Sequence, residues 1–233
     1  MAADVWATPL CGAALTVGAY AGALQVHKRV AWLHPLVLTT AVLMGLILAA
    51  RIPLESYRPG GDMLTFFLGP ATVALAVPLY RRLPEIRAHL LAVLGSVAIG
   101  GTLAVATSWV AVRGLGGSHE VALSMLSRSV TTPISIGIAT ELHASPELAA
   151  TFTVLSGLLG AVIGPAFLRL IGIRNDLALG LGIGTAAHGI GTSSVIRHSE
   201  AQGAAAGLAM ALNGIFTSLL MIPVYAWMAA GNQ

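Results

Sequence analysis

Residues 179–197 read LGLGIGTAAHGIGTSSVIR, a stretch that sits in apolar surroundings yet is built from residues a membrane helix ordinarily avoids. Gly180, Gly182, Gly184, Gly189 and Gly191 loosen the backbone there. Between them stand Thr185, His188, Thr192, Ser193 and Ser194, all able to hydrogen-bond where hydrocarbon would leave them unpaired. The pattern points to a site built into a membrane segment, beyond a plain anchor.

The rest of the chain supports that setting. Of 233 residues, 56% are hydrophobic and 9% charged, and the mean hydropathy is +0.85, whereas soluble domains carry about 25% charged residues. An all-α integral membrane protein follows. At about 20 apolar residues per crossing, the runs 8–26, 33–50, 62–80, 88–112, 121–142, 147–171, 176–197 and 203–230 predict seven to eight membrane segments in a single membrane-embedded unit, residues 1–233. The lipid bilayer is thus the first expected partner. Twelve Lys and Arg residues are scattered among the inter-helix loops, where they orient helices, and no nucleic-acid partner is expected. The lone Cys11 excludes an intrachain disulfide and a Cys-rich metal site. The amino terminus lacks a basic n-region and reads as an uncleaved first helix.

Charge also bears on topology. If all eight runs cross, Arg169 and Arg174 fall on the side opposite Lys28, Arg29, Arg81, Arg82 and Arg87. If the run 121–142 enters and leaves on one face, every basic cluster becomes cytoplasmic, with the amino terminus out and the carboxyl terminus in. Pro133 and Gly137 would supply that break, and a complete crossing is the alternative. The runs 62–80 and 176–197 then cross in opposite directions, each with a central interruption: Gly69 and Pro70 in the first, Gly184 and Thr185 in the second. Paired broken helices suggest an inverted-repeat, transporter-like architecture with a midplane site.

Four groups of residues are candidates for substrate binding. In 126–137, LSRSVTTPISIG, the residues Ser129, Thr131 and Thr132 either repair the backbone freed by Pro133 or help to hold a carboxylate. Arg128 costs about 2.5–3.5 kcal/mol inside a membrane, so it either reaches the interface or is kept for an anion. In the opening stretch, Gly184, Thr185, Gly189 and Thr192 surround His188, either a satisfied core histidine or a proton-coupling residue. Asn213 in an otherwise apolar helix is either a bridge between helices or a substrate contact. Thr72 follows the break at Gly69 and Pro70. H-E-x-x-H, G-x-S-x-G and Walker patterns are absent, so no enzymatic activity is expected. Neither a cofactor nor a metal is expected.

The segments FLGPATVALAVPLY (67–80), SVTTPISIGI (129–138), LGAVIGPAFLRL (159–170), GTAAHGIGT (184–192) and GLAMALNGIFT (207–217) resemble the LrgB/CidB family in family order. That family often has Ser at the position of Ala187 and an Ala-Arg pair at Ser193-Ser194. The resemblance implies a multi-pass protein of the bacterial inner membrane. It implies one of two functions: transport of small monocarboxylates such as glycolate, glycerate or pyruvate, as in plastid relatives, or holin-like or antiholin-like modulation of murein hydrolase export and lysis. A small LrgA/CidA-type membrane partner comes with the second. Broken helices, a histidine and convergent hydroxyls suit a carrier better than a lesion. Glycine-rich helix faces are compatible with a homodimer.

Overall fold

A computed structural model describes residues 8–30, 33–74 and 76–231, and every regular element among them is helical. The helices are α1 (Pro9–Arg29), α2 (Pro35–Ala49), α3 (Leu54–Phe66), α4 (Leu68–Ala74), α5 (Ala76–Arg81), α6 (Leu83–Ala88), α7 (Leu90–Gly114), α8 (His119–Met125), α9 (Thr132–Glu141), α10 (Pro146–Leu170), α11 (Asp176–Val195) and α12 (Glu200–Gly231). Among the described residues, four segments are long and apolar enough to cross a membrane: α1, α7, α10 and residues 200–226 of α12.

The helices gather into two units, α1–α4 and α5–α12. In the first, α1 and α3 meet at two glycines, and a Cβ on Gly60 would stand 2.6 Å from the Gly12 Cα. Thr16 Oγ1 and Tyr57 OH lie 2.7 Å apart across the same contact. Helix α3 occupies a connector that its prolines, paired glycines and charges predicted to be a loop; Pro53 is its N-cap, where a missing N–H costs no helical bond, and Pro59 stands inside it. The run expected over 62–80 is interrupted at Phe67, between α3 and α4. Gly69 and Pro70 fall in the first turn of α4, where a missing proline N–H costs no helical bond.

In the second unit the long helices α7, α10 and α12 frame two helical hairpins. The first is α8 and α9. Ser127 Oγ and Ser135 Oγ approach to 2.8 Å, and the Ser145 N–H donates to Ser124 Oγ at 3.2 Å. A continuous helix would separate residues 124 and 145 by about 30 Å. Leu123, Leu126, Val130, Ile138 and Leu142 fill the space between the two arms together with Met221 of α12. Pro133 stands in the first turn of α9, and the chain turns over residues 126–131. Gly137 does not supply the break: it is an exposed, helical residue inside α9.

The second hairpin is α11 itself. The run 176–197 was expected to cross; instead the backbone leaves the helical region at His188 (φ 41°, ψ −137°) and turns back. Val195 thereby packs with Leu179 and Ile183, residues that a straight helix would hold about 24 Å and 18 Å away. Helix α12 starts beside the head of α11 and runs parallel to its first arm: Gly180 faces Gln202 and Ala205, Gly184 faces Ala206, and Gly189 faces Met210. At Gly184 a Cβ would collide with the α12 backbone, so only glycine admits this approach.

The two hairpins enter from opposite ends. The segment 82–89, which holds α6, and the loops at 171–175 and 196–199 lie at one end, joined by contacts among Asp176, Ser199 and Gln202 and by the Arg81–Glu200 pair at 3.4 Å. This basic end carries Arg81, Arg82, Arg87, Arg169, Arg174 and Arg197. The other end carries Glu120, Glu141 and Glu147 with Arg113. Because α12 runs from the basic end to the acidic end, its last turn lies opposite the arginine-bearing loops. This reverses the expected placement: the expectation counted 176–197 as a crossing, and the turn at His188 removes it.

With Cys11 replaced by Ser, single cysteines at Arg174 and Arg197 are expected to react with a membrane-impermeant thiol reagent from the same side of the membrane. Cysteines at Gly116 and His143 should share the other side. Labelling of 174 and 197 from opposite sides would contradict the turn at His188.

Candidate functional site

The two hairpin tips meet beside the middle of α10, where each has broken its helical hydrogen bonding. These freed backbone groups need partners, and side chains of α10, α12 and the second hairpin itself provide them. Asn213 of α12 is fully buried. Its Nδ2 donates to the carbonyl of Ser129 in the first tip and to that of Thr185 in the second, both at 3.1 Å. Thr217 Oγ1 donates to Asn213 Oδ1 at 3.4 Å. One side chain thus ties both hairpins to the same long helix.

At the second tip, His188 is 3% exposed and its Nε2 lies 2.9 Å from the Thr153 carbonyl of α10. A carbonyl accepts, so Nε2 carries the hydrogen. Thr192 Oγ1 donates to the His188 carbonyl at 2.7 Å, closing the gap left by the turn. A positive φ is uncommon for a residue with a Cβ, and the imidazole bond helps to hold it. The space is tight: a Cβ on Gly157 would stand 2.7 Å from His188 Nε2. Thr153 Oγ1 in turn donates to Ser135 Oγ at 2.9 Å, and Ser135 reaches Ser127. A buried chain of polar groups therefore runs from one tip to the other through α10.

Next to the first tip a cavity of about 550 Å³ lies among α7, α11 and Arg128. His89, Asn175 and Leu177 line its part nearest the basic end, and Ser96, Gly100, Ala104, Thr185 and Ala186 line it farther in. Arg128 is half-buried. Its Nε donates to Ser108 Oγ of α7 at 2.8 Å and an Nη to Ser156 Oγ of α10 at 3.0 Å. Among the described residues no carboxylate pairs with it. A guanidinium has five N–H groups, so three remain beyond those two bonds. The cavity wall is otherwise mainly apolar.

The sequence candidates divide by place. Arg128 and Thr185 line the cavity. Ser129, Asn213, His188 and Thr192 are buried behind it in the polar chain, and Ser129 Oγ has no partner among the described residues. Thr131 is the residue before α9 and makes no capping bond with its side chain; Thr132 opens the helix. Gly184 faces α12, and Gly189 follows the second turn. The side chain of Thr72 lies outside the described residues, and its helix belongs to the other unit. Sequence reasoning passed over Ser108 and Ser156. Their only signal was a hydroxyl in an apolar run, which a helix ordinarily absorbs by bonding its own backbone.

The model of the LrgB-like family matches residues 16–227, through both units. The chain belongs to that family. Among its relatives, YwbG of Bacillus subtilis, a protein named as uncharacterised, is 38% identical over 205 residues, covering 87% of this chain and 91% of the relative. YxaC of the same organism, also named as uncharacterised, is 32% identical, with 92% and 94% covered. A Bacillus mycoides relative named antiholin-like protein LrgB is 27% identical, with 81% and 82% covered. No solved structure matches the chain. Family membership and the apolar helices together make this LrgB-family chain a multi-pass membrane protein.

At the basic end, Asp176 opens α11 and accepts from Gln202 Nε2 at 2.7 Å and Ser199 Oγ at 2.6 Å. These bonds, Gln202 first and then Ser199, hold its carboxyl below the usual carboxylate range, with help from Arg169 and Arg82. A lowered carboxylate stabilises the fold above its unfolded pKa, and the contribution is lost as pH falls through the lower folded value. The acid-side decline in thermal midpoint of the detergent-solubilised protein is therefore expected to be shallower in Asp176→Asn. Deeper in the unit, Asn213→Leu strands two buried carbonyls at about 1–3 kcal/mol each. It should lower the thermal midpoint by more than Asp176→Asn does at neutral pH.

Proposed function

We propose that this LrgB-family protein is a secondary transporter of small monocarboxylates of the glycolate, glycerate or pyruvate type. The observation that carries the reading is Arg128, a cation without a carboxylate partner among the described residues, on the wall of a cavity that opens among membrane helices. Retaining such a charge in a membrane protein calls for an anion. The acid's carboxylate would sit on the free N–H groups of Arg128, and its 2-hydroxy or 2-oxo oxygen would meet the Ser96 or Thr185 hydroxyl.

The cavity reaches toward the basic end, which the positive-inside rule makes cytoplasmic. The long helices α7, α10 and α12 would be full crossings, and the hairpins re-entrant from opposite faces. On this reading α7 with its hairpin and α10 with α11 form two inverted halves, each a 25-residue helix followed by a hairpin. The acidic-end counterpart of the cavity is closed by the Ser145–Ser124 bond and by the fully buried Ala122 and Ala149. Alternating access would open that contact as α11 closes on α7. His188 keeps the proton role in this proposal: with Nε2–H given to Thr153, Nδ1 is the atom that takes the proton.

The second reading is antiholin-like action with an LrgA/CidA-type partner, favoured by the names of the Bacillus relatives. Purified protein in liposomes separates the two. Transport gives saturable, pH-dependent uptake of labelled glycolate or pyruvate that falls at least about tenfold in Arg128→Gln, since a desolvated ionic contact is worth about 2–5 kcal/mol. His188→Gln, which keeps a donor toward Thr153, should retain uptake and flatten its pH dependence. Unsaturable release of unrelated solutes, with or without the partner, would support a pore-forming, holin-like reading instead.

A further inference from the structure

Among the described residues the Arg128 side chain is held by two hydroxyls and by no acid, and both hydroxyls are themselves anchored. Ser108 is buried. It accepts from Arg128 Nε at 2.8 Å and donates to the Ala104 carbonyl at 2.6 Å, one turn earlier in α7. Ser156 accepts from an Arg128 Nη at 3.0 Å and donates to the Ala186 carbonyl of the second hairpin at 3.5 Å. Each hydroxyl has a single hydrogen, and each directs it at a backbone carbonyl. What they offer the guanidinium is a lone pair, fixed in direction and without charge.

The chemistry of the alternative is informative. An Asp or Glu at either place would hold the arginine at least as firmly, through a charge-assisted bond. It would also cancel the charge, and an anion arriving in the cavity would meet a neutral pair. Two serines fix the arginine's position and leave its full positive charge. The two anchors come from different helices, α7 and α10, so the guanidinium is oriented from both sides with its remaining N–H groups unused by the described residues.

We propose that Ser108 and Ser156 are positioning residues that orient Arg128 without neutralising it, and so set the preference of the cavity for anions. The inference rests on the transport reading above. Through its bond to Ala186, Ser156 also links the arginine of one hairpin to the backbone of the other.

The test compares isosteric side chains that differ in charge. Ser108→Asp and Ser108→Asn, and likewise Ser156→Asp and Ser156→Asn, are reconstituted in liposomes, and glycolate uptake is measured across concentration. The aspartates should raise the half-saturating concentration by at least about tenfold, while each matching asparagine stays within about threefold of wild type, a change of under 1 kcal/mol. Ser108→Thr, which keeps the acceptor, should restore wild-type affinity. Equal losses in the Asp and Asn members of both pairs would assign the serines to packing alone and overturn the proposal. Wild-type affinity in both aspartate variants would overturn it as well. The outcome for the underlying reading is separate: it fails if wild-type protein takes up none of the small acids. Thermal midpoints identify a variant that does not fold, and the pair at the other serine then decides.

Discussion

The second unit depends on how closely its helices approach one another. Hydrocarbon offers no hydrophobic gain for bringing one apolar helix against another, so contact must come from surfaces that fit. Gly157, Gly160 and Gly164 of α10 face His188, Ala187 and Ile183 of the second hairpin. On the opposite side Gly180 and Gly184 lie against the Gln202–Ala206 turn of α12, where Ala204, Ala205 and Ala206 are all buried. The hairpin is gripped between two long helices by positions with little or no side chain. That grip makes a sharp turn at His188 tolerable, because the strain at one residue is small against the packing of two helix faces.

Close packing creates a second problem and also solves it. Turning the chain inside a membrane frees amide and carbonyl groups that no water is there to satisfy. The chain answers with single polar residues on otherwise apolar helices: Asn213, Thr153, Thr192 and the serines at 127 and 135. Asn213 and Thr192 reach carbonyls freed at the turns, and Thr153, Ser135 and Ser127 link the two tips through their hydroxyls. Arg128 stands apart from this economy. It is polar at the same depth, but its bonds run to two hydroxyls, and charge remains.

Much of this was legible in the sequence. Hydropathy gave the helical membrane class, and the clustering of arginines favoured a turn within 121–142, where α8 and α9 fold back. The polar residues near the breaks were also visible as oddities. The turn at His188 was not, because glycines flanking a polar residue suit a loosened crossing as well as a reversal, and the residue that adopts positive φ carries a Cβ. Gly137 misled for the converse reason: an isolated glycine in a helix carries no mark of whether the helix breaks there. Helix α3 was hidden by Pro59, Gly60 and Gly61, which imitate a loop until Gly12 is seen against Gly60. Ser108 and Ser156 were invisible since their importance comes from a guanidinium 20 and 28 residues away in sequence.

The opposed entry of the hairpins has a consequence for how the middle of this unit is held. The first tip hangs from the loops at the acidic end and the second from those at the basic end, and Asn213 binds a carbonyl of each. The polar centre is thus fastened to both ends of the unit at once, and neither end's loops alone set its place.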